Sequence, residues 1–125
     1  MIYGIGTDAV EVSRIKLAVK KYGLKLAEKI LTHNELLVYG KVKSKENFLA
    51  KRFAAKEAFA KAFGTGLRGS VNFKSIEVTH DILGKPLLKY HNKLQSLVEE
   101  KNIHHCHLSI SDEKNIAVAF VILEV

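Results

Sequence analysis

The stretch FLAKRFAAKEAFAKAFGTGLRG, residues 48–69, runs from a helix directly into a glycine-rich loop. As far as Phe63 it holds only good helix formers and phenylalanine, and Gly64 can end the helix. At about 100° per residue, Phe48, Phe59, Phe63, Leu49, Ala60 and Phe53 share an arc about 140° wide, which reads as a core-facing stripe. Arg52 and Lys56 project into the middle of that arc, where an amphipathic helix ordinarily carries no cations. Glu57 sits at its edge and Lys61 follows one turn later. Two readings are open. The two cations snorkel, with stems on the core and heads in water; or they line a pocket for an anionic ligand, with Glu57 supplying a hard oxygen to a metal.

Outward from this helix, the 125 residues suffice for one domain with a real core. The single cysteine, Cys106, excludes an internal disulfide and points to a reducing compartment, so the cytoplasm is expected. Asp8 and Glu11 interrupt the first apolar run, so it does not read as a signal peptide. The longest apolar run, Ile116 to Leu123, is too short to span a bilayer, and no membrane partner is expected. A net charge of +7 favours an anionic partner without choosing among nucleic acid, small molecule and acidic protein.

Residues 1–12 read as a strand with its exit loop, Asp8 lying where the strand should end. Gly4 and Gly6 would let another backbone come close. Ser13 is placed to cap a helix that ends at Gly23, with Arg14, Lys16, Lys20 and Lys21 on one edge. A short helix continues to Leu31. Thr32 to Glu35 has capping-box spacing for a helix to about Tyr39, and Ser44 is placed to cap the long helix. Beyond the loop, Ser75 to His80 alternates as a strand, Gly84-Lys85-Pro86 turns, and Leu87 to His91 returns. A helix over 92–101 follows, then strands over 104–111 and 116–125 joined as a hairpin. Helices early and antiparallel strands late make the class α+β.

Three constellations could carry chemistry. His104, His105, Cys106 and His107 invite a zinc reading, but strand alternation puts His105 and His107 on one face and His104 and Cys106 on the other. Asp8 and Glu57 are two carboxylates beside small-residue backbone, the kind of pair that binds magnesium together with phosphate oxygens. The loop Gly64-Thr65-Gly66-Leu67-Arg68-Gly69 offers backbone N–H groups to phosphates, although no Walker A lysine follows.

Taken together, these residues resemble the small bacterial holo-[acyl-carrier-protein] synthases, a family of 4′-phosphopantetheinyl transferases. Three blocks carry the resemblance: GIGTDAVEVSRI, FLAKRFAAKEAFAKAFGTG and HLSISDEKNIAVAFVILE. It covers essentially the whole chain and implies one domain, 1–125, with helices packed on a mainly antiparallel sheet. It further implies a homotrimer with active sites between protomers. The reaction implied is transfer of the phosphopantetheine arm of coenzyme A to a serine of apo-acyl carrier protein, releasing 3′,5′-ADP, with Mg2+. By the resemblance, Asp8 and Glu57 bind the metal. Arg52, Lys56 and Lys61, with Gly64, Thr65 and Gly66, hold coenzyme A, and His107 joins the catalytic set. Arg14, with Lys21 and Lys25, would face the acidic carrier. Asp112 stands where many members carry a second histidine. The base that takes the serine proton stays open among a metal-bound water, Glu57 and His107. A basic nucleic-acid module is the rival reading; it leaves the two carboxylates unexplained and lacks aromatics interleaved with cations.

Overall fold

The computed structural model describes all 125 residues. The chain runs β1 (Ile2–Glu11), α1 (Val12–Tyr22), α2 (Leu24–Ile30), α3 (His33–Tyr39) and α4 (Lys45–Phe63). A turn of 3-10 helix at Phe73–Ser75 leads to β2 (Ile76–His80), β3 (Pro86–Tyr90), α5 (Lys93–Glu100), β4 (His105–Asp112) and β5 (Ile116–Glu124). The α+β class and the closing hairpin are as expected. Strands β1, β5 and β4 form one antiparallel sheet in that order, and β2 and β3 form a second.

α4 is the centre of the molecule. It packs on β1 and β5 on one side, while α1, α2, α3 and β2 close around the rest. Its burial is not confined to one stripe. Ala50, Ala54, Ala58 and Ala62, spaced by four, are buried on the face opposite the large residues. Their small size lets the helix lie low on the sheet. The sheet answers with glycine. A Cβ on Gly6 would lie 2.0 Å from the carbonyl oxygen of Ala58, and one on Gly4 equally close to that of Ala62. Any side chain at either position would lift the helix off β1. The close approach read from these glycines is therefore real, and its partner is α4.

Three local expectations are corrected. Asp8 does not lie at a strand exit. β1 continues through Glu11, and Asp8 is paired opposite Ala119, because the glycines before it are ordinary ladder residues. Ser13 does not cap α1, which starts two residues earlier than such a cap would allow, at Val12 behind Glu11, without a side-chain cap. Ser44 holds the N-cap position of α4 but makes no capping bond. The Thr32–Glu35 capping box forms in both directions.

On β5, Ala117, Ala119, Val121 and Leu123 point into the core, while Ile116, Val118, Phe120 and Ile122 alternate onto the other face of the sheet. No element of the chain covers that outer face. Phe120 is 40% exposed and Ile5, on β1, 60%.

Candidate functional site

The site is built where β1 and α4 touch. The glycine–alanine contact brings Asp8 of β1 beside Glu57 and Lys61 of α4. The Lys61 Nζ donates to Asp8 Oδ1 at 3.1 Å and to the Thr7 carbonyl at 3.0 Å. Asp8 Oδ2 is buried and has no hydrogen-bond partner. Burial, together with the neighbouring Asp8 carboxylate, pushes the Glu57 carboxyl above its ordinary range, and Lys61 partly offsets this. Two carboxylates pressed together, one with an orphaned oxygen, form an arrangement that a divalent cation would relieve.

A cleft of about 330 Å³ is lined by Asp8 together with Val10, Ile15, Leu26 and Phe53. Arg14 lines it too and is exposed, so the first helix and Asp8 share one cleft. Lys25 lines the adjoining cleft with Tyr22, and the Lys21 Nζ lies 5.2 Å from the Tyr22 ring centroid. At the far end of α4, Gly64 and Gly66 adopt left-handed backbone, and both of their N–H groups donate to the Ala60 carbonyl. They and Thr65 follow Lys61 within about one turn.

Lys56 is not part of this site, and neither reading of it from sequence holds. It is completely buried. Its Nζ donates to Glu35 Oε1 at 2.6 Å, to the Ile30 carbonyl at 2.7 Å and to the Phe73 carbonyl at 2.9 Å. All three ammonium protons are spent, so no donor remains for a phosphate, and the head does not reach water. Burial pushes the ammonium pKa down while Glu35 holds it up.

Arg52 stacks on the Phe48 ring, 4.1 Å from its centroid, with its Nε 3.7 Å from Glu35 Oε2 and without a hydrogen-bond partner. It lines a separate cleft with Asn34, Val38 and His80. Five residues before Glu57, it lies about 140° around the helix from it. Within one protomer Arg52 therefore does not reach the Asp8–Glu57 pair.

His107 is also apart. Asp8 pairs with Ala119, which pairs with Ile110, so His107 is two strands across and three residues along, about 10 Å in each direction. It stands on the outer face of the sheet, whereas Asp8 points inward. Asp112 stands near Lys51, at 3.9 Å.

Glu35 is the residue that sequence reasoning left as a cap only. It also accepts from the Val78 N–H at 2.8 Å and so ties α3, α4 and β2 together. The signal was present: two cations inside an apolar arc require a buried anion, and a capping-box glutamate is one whose position is already fixed.

The chain is similar over nearly its whole length to proteins of known family. Residues 4–121 match the family model described as the 4′-phosphopantetheinyl transferase superfamily. The holo-[acyl-carrier-protein] synthase of Nitrosospira multiformis is 58% identical over 124 residues, covering 99% of each chain. The crystal structure of the synthase from Neisseria meningitidis superposes with a TM-score of 0.97 at 51% identity, over 100% of both chains. That from Bacillus anthracis, in complex with CoA (3′,5′-ADP), gives 0.82 at 43% identity over 98% of this chain and 96% of that one. With its fold, its central helix and nearly its whole length matched in this way, the chain belongs to the 4′-phosphopantetheinyl transferase superfamily.

Proposed function

We infer that this chain transfers 4′-phosphopantetheine from coenzyme A to a serine of apo-acyl carrier protein, releasing 3′,5′-ADP. The observation that carries this reading is the Asp8–Glu57–Lys61 cluster, set in a chain 58% identical end to end to a holo-[acyl-carrier-protein] synthase. Its test is to incubate the protein with coenzyme A, magnesium and apo-carrier protein and weigh the carrier. A mass gain of one phosphopantetheine is expected, and no gain with a carrier that other synthases modify would overturn the reading.

Asp8 and Glu57 are the residues that would hold Mg2+, and their crowded carboxylates with the partnerless Oδ2 fit that ion. When bound, the ion supplies neutralisation of the pyrophosphate and polarisation of the attacked phosphorus. Lys61 adds a cation beside the pair; the Gly64 and Gly66 N–H groups already donate to the Ala60 carbonyl, so this turn would meet coenzyme A through close backbone approach rather than through those donors. Lys56 has no part in this.

A homotrimer supplies what one protomer lacks. The uncovered apolar row of Ile5, Phe120 and Ile122 is a surface that a second copy would bury. Arg52 and His107, which in one protomer do not reach the Asp8–Glu57 pair, would then serve a neighbour's site. Light scattering is expected to give three times the 14.0 kDa chain mass. A monomer at working concentration would remove both residues from the reaction.

The anionic macromolecule is an acidic carrier rather than nucleic acid, since a nucleic-acid surface would leave the Asp8–Glu57 pair without a role and would call for aromatics interleaved with the cations. Arg14, lining the Asp8 cleft, is the chief docking cation, with Lys21 and Lys25 beyond it. Arg14→Glu is expected to raise KM for the carrier about tenfold or more with KM for coenzyme A unchanged, because it sets like charges against each other across the interface, which costs several kcal/mol. Steady-state kinetics with each substrate varied separately check this; equal changes in both constants would reject the docking role. No helix is long and apolar enough to cross a membrane. A cytoplasmic location is supported by the unpaired Cys106.

A further inference from the structure

His107 is bound to a second residue whose role the family relationship leaves open. Glu124 lies opposite His105 in the register of β4 and β5, and from there it reaches diagonally to His107, its Oε1 2.5 Å from Nε2. The His105 ring lies 6.4 Å from the His107 ring, the two planes nearly parallel. The His107 ring is thus held by Glu124, although it is half exposed and water could satisfy it. A surface pair of this kind adds little to stability, so the fold does not require it.

We propose that Glu124 is the positioning residue for His107, accepting from Nε2–H and so leaving Nδ1 as the nitrogen that takes the proton of the carrier serine. The proposal rests on the reading above in which His107 serves a neighbouring protomer's site. A carboxylate has only acceptor sites, so its ring partner must carry the proton on the nitrogen that faces it. In the neutral ring the lone pair is then on Nδ1. The interaction is felt on the carboxylate side as well: the His107 hydrogen bond is the main influence holding the Glu124 carboxyl below its ordinary range, with the amino terminus and His105 acting in the same sense. In the step itself the serine O–H breaks and its proton goes to Nδ1. The serine oxygen forms the new bond to phosphorus, and the bond from phosphorus to the bridging oxygen breaks, releasing 3′,5′-ADP. The imidazolium then returns its proton to solvent. Glu124 remains ionised throughout and favours the cation that forms.

The test combines ring spectroscopy with kinetics. In protein with nitrogen-15-labelled histidine in alkaline buffer, His107 is expected as the Nε2–H tautomer. Glu124→Gln, which keeps an acceptor, retains it; Glu124→Ala gives a mixture. Turnover should fall about 10- to 100-fold in Glu124→Ala, the range typical of outer-sphere partners of a functional histidine, with KM for both substrates unchanged. Glu124→Gln should recover part of the loss, and adding Glu124→Ala to His107→Ala should cost nothing further. An impaired His107→Ala beside a fully active Glu124→Ala overturns the positioning role alone. A fully active His107→Ala overturns the reading of His107 on which it rests. An altered assembly mass in Glu124→Ala would also overturn the proposal, by making the residue structural.

Discussion

Lys56→Met is expected to unfold at markedly lower urea concentration than the parent protein, with a loss of roughly 3–5 kcal/mol, the usual cost of removing one partner from a buried ion pair. Three consequences of the substitution add together. Glu35 keeps only Arg52 as a counter-charge, at 3.7 Å and without a hydrogen bond. The carbonyls of Ile30 and Phe73 lose their buried donor. The junction of α2, α3, α4 and the 3-10 turn loses the group that joins them. Glu35→Gln is expected to be damaging for the complementary reason, since it leaves Lys56 and Arg52 buried with no anion between them. The double variant should cost less than the sum of the two, because each single change strands the other's charge. The same experiment separates this role from phosphate binding. A lysine that held coenzyme A would change KM for that substrate and leave the unfolding midpoint where it was. A Lys56→Met protein of parental stability with a raised KM for coenzyme A would refute the structural assignment.

Lys56 also shows where sequence reasoning stops. Its angular position, inside the apolar arc, was legible from helical periodicity alone. Its partners were not, because they come from residues 30, 35 and 73, and spacing along one helix carries no information about elements folded against it. The glycines of β1 were legible for a different reason. A missing Cβ is a local property with a spatial meaning, and the meaning read from it, close backbone approach, held. What glycine could not say is that the approaching backbone is α4. The alternation of β4 was enough to separate His105 and His107 from Cys106, and the structure puts the two histidines outside and the thiol inside. The same alternation says nothing about Glu124, whose diagonal reach depends on the register with β5. Apart from Ala60, the α4 stripe consists of large side chains, which mark one face of an amphipathic helix. The alanines on the other face are equally buried, and a helix enclosed on all sides leaves no periodic trace. Proximity of Asp8 to Glu57 was suggested by the family resemblance and could not be obtained from residues 49 positions apart. The β1–α4 contact is what brings them together.

Asp8→Ala and Glu57→Ala are each expected to abolish most magnesium-dependent transfer while leaving the protein folded. The structural side of this prediction follows from the partners each carboxylate has. Asp8 makes one exposed contact, to Lys61, and its other oxygen is buried without a partner, so removing the side chain deletes an unsatisfied group rather than a network. Glu57 has its carboxyl pushed above the ordinary range by burial and by Asp8, which means that the folded protein holds this charge at a cost. Because a raised carboxylate binds its proton more readily in the folded state, that cost is present above the folded pKa and fades as pH falls through it. Glu57→Ala should therefore be neutral or stabilising near neutral pH, all the more because alanine is the better helix former. The functional side runs the other way. A cation held between the two carboxylates would stabilise the transition state by several kcal/mol, so losing either ligand costs on the order of a thousandfold in kcat/KM. The raised Glu57 pKa adds a pH signature: magnesium activation should weaken in acid at a pH above the ordinary glutamate range, as the ligand takes up its proton. Transfer rates, magnesium titrations and melting temperatures measured on the same preparations decide the matter. Either variant, folded and retaining near-parental magnesium-dependent transfer, would show that the Asp8–Glu57 pair is not the metal site.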